Sequence, residues 1–76
     1  MVHAVIVVET GTAKSTTILD SIKELDPVVE AHVVAGDYDL IVEVEADEVY
    51  EILQTASNET QRIDGVTDTR TYVSLD

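Results

Sequence analysis

Gly36-Asp37-Tyr38-Asp39 puts a glycine, two carboxylates and a phenol in four consecutive positions between two apolar alternating runs. Polar chemistry concentrated at a sheet edge is what a small-ligand site needs. Asp37 and Asp39 have the residue types of an acid–base pair, but they lie two apart around a hairpin and nothing in the sequence buries either of them. The same segment also reads as turn chemistry, with Gly36 supplying a positive φ and Asp37 bonding local backbone. Tyr38 then simply covers the sheet edge. Thr69 and Thr71 alternate onto one face of the last apolar run, where threonine serves equally as a β-former or as a ligand contact.

Other chemistries have less to stand on. The chain has no cysteine, which leaves no thiol nucleophile, thiolate metal site or disulfide. His3 and His32 fall on different strands and near no serine motif, so each reads as a packing or surface residue. Neither a metal nor a cofactor is expected. Gly11-Thr12-Ala13-Lys14 lacks the spacing of a phosphate loop and reads as a turn.

The elements that must position the hairpin fall into two similar halves, each strand, helix, strand. His3 to Val8 is a continuous apolar, β-branched run, the pattern of a central strand covered on both faces. After a turn at Thr10-Gly11-Thr12, with Thr12 a candidate N-cap, Ile18, Leu19, Ile22 and Leu25 form a helical stripe that Asp26-Pro27 ends. Val28 to Ala35 and Tyr38 to Glu45 read as two strands joined by a short Gly36-Asp37 hairpin, with Leu40, Val42 and Val44 on the face that meets the helices. Asp47 is a candidate N-cap for a second helix carrying Val49, Ile52, Leu53 and Ala56 on one side, weakened at Asn58 and Thr60. Val66 to Leu75 is the final strand. Right-handed crossovers place both helices on one face of an antiparallel sheet, so the expected fold is α+β, ferredoxin-like βαββαβ, in one domain over 1–76.

Length and charge bound the partners. A chain of 76 residues buries only about 60% of the surface it exposes unfolded, so oligomerisation is expected. The bare face of the sheet would expose the first strand's valines, which points to a face-to-face dimer. Sixteen acidic residues against four basic ones, Lys14, Lys23, Arg62 and Arg70, give a net charge of −12, which argues against direct binding to nucleic acid or to an anionic membrane. Spread through a chain that is 45% hydrophobic, this acidity matches a halophile's salt-adapted surface. No signal peptide or spanning helix is evident, and a cytoplasmic protein is expected.

Two segments carry a family resemblance. Val33-Val34-Ala35-Gly36-Asp37-Tyr38-Asp39-Leu40-Ile41-Val42-Glu43-Val44, followed after a helix by Ile63-Asp64-Gly65-Val66-Thr67-Asp68-Thr69-Arg70-Thr71, resembles the effector-binding RAM domain of the Lrp/AsnC family. The first matches the family's hydrophobic-Gly-x-Tyr/Phe-Asp hairpin and the second its Gly-Val strand entry with a T-x-T pair; Asp64 replaces a proline common before that Gly-Val pair. With no helix-turn-helix, the chain resembles the family's stand-alone members, and a halophilic archaeal source is expected. The resemblance implies dimers that join through their sheets, tetramers of dimers, and a free amino acid bound between dimers. It places Gly36, Asp37, Tyr38, Asp39, Thr69 and Thr71 in that site, with backbone amides near Gly36 for the ligand carboxylate, Asp37 or Asp39 for its ammonium, and the threonine hydroxyls for either end. The implied role is regulation of amino-acid metabolism genes through mixed oligomers with DNA-binding relatives, not enzymatic. Two alternatives share the element order: a small dimeric ferredoxin-like enzyme of monooxygenase or isomerase type, against which the paucity of His, Arg and aromatic residues argues, and an ACT-like allosteric module with side-by-side sheets.

Overall fold

The computed structural model describes residues 1–11 and 15–75, side chains included except at Ser57. Four strands form one antiparallel sheet: β1 (Val2–Thr10), β2 (Val28–Val33), β3 (Leu40–Ala46) and β4 (Val66–Val73), in the order β2-β3-β1-β4. Helix α1 (Ser15–Lys23) connects β1 to β2, and α2 (Val49–Gln54), continued by a π-helical segment Thr55–Thr60, connects β3 to β4. This is the ferredoxin-like arrangement, with the apolar first strand and β3 at the centre.

Alternation along the strands divides the sheet into two faces. Ala4, Ile6 and Val8 of β1 and Leu40, Val42 and Val44 of β3 are buried against Ile18 and Ile22 of α1 and Ile52 and Ala56 of the second helical segment. Both helices therefore cover the same face. The other face carries Val5, Val7 and Ile41, half-buried, with Tyr72 exposed beside Val5. No helix among the described residues is long and apolar enough to cross a membrane.

The structure corrects several element boundaries. β2 stops at Val33 and β3 begins at Leu40, so residues 34–39 form a six-residue connection instead of a short Gly36-Asp37 hairpin. The chain leaves the ladder because Asp39 turns toward β1. Its N–H donates to the Val8 carbonyl at 3.0 Å. The cap of α2 is Glu48 rather than Asp47, since the Glu51 carboxylate reaches back to accept from the N–H groups of Asp47 (3.1 Å) and Glu48 (3.3 Å). The buried stripe of this helix is also shifted. Val49 and Leu53 are 44% and 48% exposed, while Thr55 and Thr60 are buried with Ile52 and Ala56. Thr55 is tolerated there because its hydroxyl donates to the Glu51 carbonyl at 3.0 Å, and the wider π-helical turns that follow swing Thr60 inward. Leu25 lies beyond the end of α1, in a turn where its N–H donates to the Ile22 carbonyl. β4 ends at Val73, leaving Leu75 in solvent. The candidate cap Thr12 lies outside the described residues.

Candidate functional site

The connection 34–39 sits at the end of the sheet where β1 finishes and β4 begins. Gly36 takes a φ of 156°, which a residue with a Cβ rarely adopts, although a Cβ there would meet nothing within 4 Å. Glycine is needed here for backbone shape, not for space. Val34 N–H donates to the Asp39 carbonyl at 2.8 Å, closing the connection on itself.

The two aspartates do different work. Asp39 is half-buried, and its Oδ2 accepts from the Thr10 N–H at 2.8 Å; with its own N–H on Val8, it ties the connection to β1 at two points. β1 runs on past its last partner pair with β3, Val8 with Leu40, so the Asp39 carboxylate gives the Thr10 N–H an acceptor beyond the end of that ladder. Asp37 is exposed, and among the described residues its side chain makes no hydrogen bond or ion pair.

Tyr38 turns toward β4, where the guanidinium carbon of Arg70 lies 6.0 Å from its ring centroid, a cation–π contact. Arg70 stands opposite Val7 on the face not covered by helices. Thr69 and Thr71 stand opposite Val8 and Ile6 on the helix-covered face. Thr69 Oγ1 accepts from Gln61 Nε2 at 3.0 Å. The row Leu40, Val8, Thr69 across β3, β1 and β4 puts the threonine at the same end of the sheet as the hairpin, two strand spacings away, about 10 Å. Within one protomer, then, four candidate residues share one connection while the two threonines lie on a neighbouring strand. Thr10, Gln61 and Arg70 did not stand out in the sequence. Alternation along β4 is the signal that separates Arg70 from the threonines, whereas the bonds of Thr10 and Gln61 depend on tertiary approach.

Concavity points elsewhere. A groove of about 440 Å³ at the opposite end of the sheet is lined by carboxylates including Asp26, Glu45, Asp47, Glu51 and Glu59, with no Lys or Arg in its wall. Apart from the Met1 terminus, the charged groups in its wall are all carboxylates, so its size alone does not make it the site. The hairpin is a projecting edge, and enclosing a ligand there takes a second surface. Each histidine lies beside a glutamate on the open face: His3 Nε2 is 3.4 Å from Glu43 and His32 Nε2 is 3.6 Å from Glu30. Being on strands separated by β3, the two do not converge.

A family model described as the Lrp/AsnC ligand binding domain matches residues 3–76. The leucine-responsive regulatory protein of Haemophilus influenzae is 32% identical over 56 residues, which make up 74% of this chain and 34% of that protein. Among solved structures, TTHA0845 from Thermus thermophilus is similar with a TM-score of 0.94 and 25% identity, over 100% of this chain and 95% of that one. AsnC of E. coli has a TM-score of 0.88 and 26% identity, over 99% of this chain and 51% of its own. The chain therefore spans about a third of the Haemophilus regulator and about half of AsnC. With nearly every residue matched and the fold shared with a known regulator, this chain belongs to the Lrp/AsnC ligand-binding domain family.

Proposed function

We propose that the domain is an amino-acid-sensing regulatory module: it binds a free amino acid at the hairpin Gly36, Asp37, Tyr38 and Asp39 with Thr69 and Thr71, between dimers, and acts on transcription of amino-acid metabolism genes by changing its assembly with DNA-binding relatives. The observation that carries this reading is a hairpin in a ligand-binding family that is fixed by one aspartate and presents the other. Asp39 has its carboxylate on Thr10, which leaves Asp37 as the group for the ligand's ammonium. Amides near Gly36 can approach the carboxylate. The name of the Haemophilus relative, a leucine-responsive regulator, supports an amino acid as the ligand class.

The open face of the sheet supports the assembly. Val5, Val7, Ile41 and Tyr72 make an apolar strip that a second copy would cover in a face-to-face dimer, and a tetramer of dimers would bring hairpins from different dimers together. Carboxylates of Glu9, Glu30, Glu43, Glu45 and Asp68 border that strip, so dimerisation should be favoured by salt that screens them; the compartment in which the module would act is the cytoplasm. The module works without cofactor or metal and as a regulator rather than an enzyme.

A thermal-shift screen of the twenty common amino acids in molar KCl tests the reading, because a ligand bound only by the native state raises the melting temperature. One or more should do so in a concentration-dependent way. If none shifts the transition of the assembled protein, the hairpin is only a turn.

A further inference from the structure

Register sets Glu30 of β2 directly opposite Glu43 of β3 on the open face, and like charges facing each other on neighbouring strands destabilise a sheet. Each of the two has a histidine beside it. His3 Nε2 reaches Glu43 from β1 at 3.4 Å, and His32 Nε2 lies 3.6 Å from Glu30 on its own strand. These are the only histidines in the chain. On β3, Glu45 stands opposite His3, while Ile41 stands opposite His32 with Glu43 next on the same face. β2 is an edge strand, so no further strand of the sheet meets His32, and on β4 Tyr72 stands opposite Val5, the neighbour of His3 on that face. The other charged groups of the face, Glu9, Asp68 and Arg70, lie nearer the hairpin. The two histidines share no ligand, but they flank one pair of carboxylates.

Val5 and Ile41, the apolar neighbours of Glu43 on this face, belong to the strip that a second copy would cover, and covering them takes the Glu43 carboxylate out of water as well. A covered carboxylate without a counter-charge is costly. Histidine is the side chain that can supply that charge between about pH 5 and 8. We propose that Glu30, Glu43, His3 and His32 form a proton-binding cluster that couples assembly to pH, so that the face-to-face dimer takes up protons on its histidines as it forms. This inference rests on the open face being the dimer interface. Burial by itself favours a neutral imidazole, but here the neutral form would leave a carboxylate 3.4 or 3.6 Å away covered and unpaired. The pair outweighs the burial. Because the dimer holds these protons more firmly than the free protomer, the extra stability is fully present at low pH and is lost as pH rises through the titration of the histidines in the dimer.

The test is the dimer dissociation constant at about pH 8 and about pH 6, read by sedimentation with fluorescence detection in molar KCl, where covered pairs are screened much less than exposed ones. Net uptake of one proton per dimer changes that constant tenfold per pH unit, so the wild-type dimer should be over about tenfold tighter at the lower pH. The double variant His3→Gln/His32→Gln should lose most of this dependence and stay near the weaker, alkaline value at both. Glu43→Gln should do the opposite at the alkaline end, with a tighter dimer and a flatter profile, and serves as the second variant if the double one disturbs folding. A wild-type dimer whose constant does not change between the two conditions overturns the proposal and leaves the interface standing. Full pH dependence retained in the double variant overturns it as well, because the proton then binds elsewhere. A wild type that stays monomeric at both overturns the dimer reading and this proposal together.

Discussion

The two faces of the sheet are made from the same strands and the same β-branched residues, but they serve different ends. On the helix side Ile6, Leu40, Val42 and Val44 are at most 1% exposed and interlock with Ile18, Ile22 and Ile52. On the open side Val5, Val7 and Ile41 remain half-buried, bordered by carboxylates. One face holds the protomer together, and the other is suited to hold protomers to each other. The hairpin repeats this division on a smaller scale: Asp39 is committed to the fold, and Asp37 is exposed with no hydrogen bond or ion pair among the described residues.

The sharpest way to break the contrast is to truncate equivalent positions on the two faces. Ile6→Ala should cost about 2 to 5 kcal/mol, enough to unfold a domain this small, as read by urea denaturation. Val7→Ala, the next residue on the same strand, should leave the protomer fold in place. Ile41→Asp should instead act on assembly, because it puts an unpaired charge into the covered strip. Sedimentation should show the dimer dissociating while circular dichroism stays native. A folded, fully dimeric Ile41→Asp protein would mean that this face is not the interface.

Gly65 sharpens the helix-side account. It has a φ of 101°, and a Cβ there would lie 2.9 Å from Cδ1 of Ile18. Gly65→Ala should therefore destabilise by about 1 to 3 kcal/mol through backbone strain and overpacking. The melting temperature checks it, and an unchanged value would show that Ile18 moves aside freely.

The smallest effect concerns charge. With a net charge of −12, like charges repel across the surface, and salt shortens their range from about 8 Å at physiological strength to about 3 Å at molar strength. Melting temperature should climb from low to molar KCl, and the dimer should tighten with it. A flat or falling profile would remove the support for a salt-adapted surface.

Much of the fold was legible because it is written in period and sign. The unbroken apolar run at His3 to Val8 identified the central strand, and the paired strand-helix-strand halves identified the topology. The second helix was misread on one side because Thr55 and Thr60 look polar by composition. Their burial depends on a back-bond to Glu51 and on a change of helical pitch that no simple spacing announces. At the candidate site, Gly36 was readable from turn chemistry. The separate roles of Asp37 and Asp39 were not, since the difference lies in the approach of Thr10, 29 residues away in sequence. Arg70 was hidden for a similar reason: its contact with Tyr38 spans two strands and a connection.

The central claim is that one aspartate of the hairpin holds the fold while the other meets the ligand. Measuring melting temperature and amino-acid affinity side by side for Asp37→Asn and Asp39→Asn tests it most directly. Asp37→Asn should melt with the wild type and bind well over tenfold more weakly, as for removal of a charge partner at an enclosed site. Asp39→Asn should melt lower, because the Thr10 N–H loses a charged acceptor. An Asp37→Asn protein that binds its amino acid as tightly as the wild type would contradict the claim.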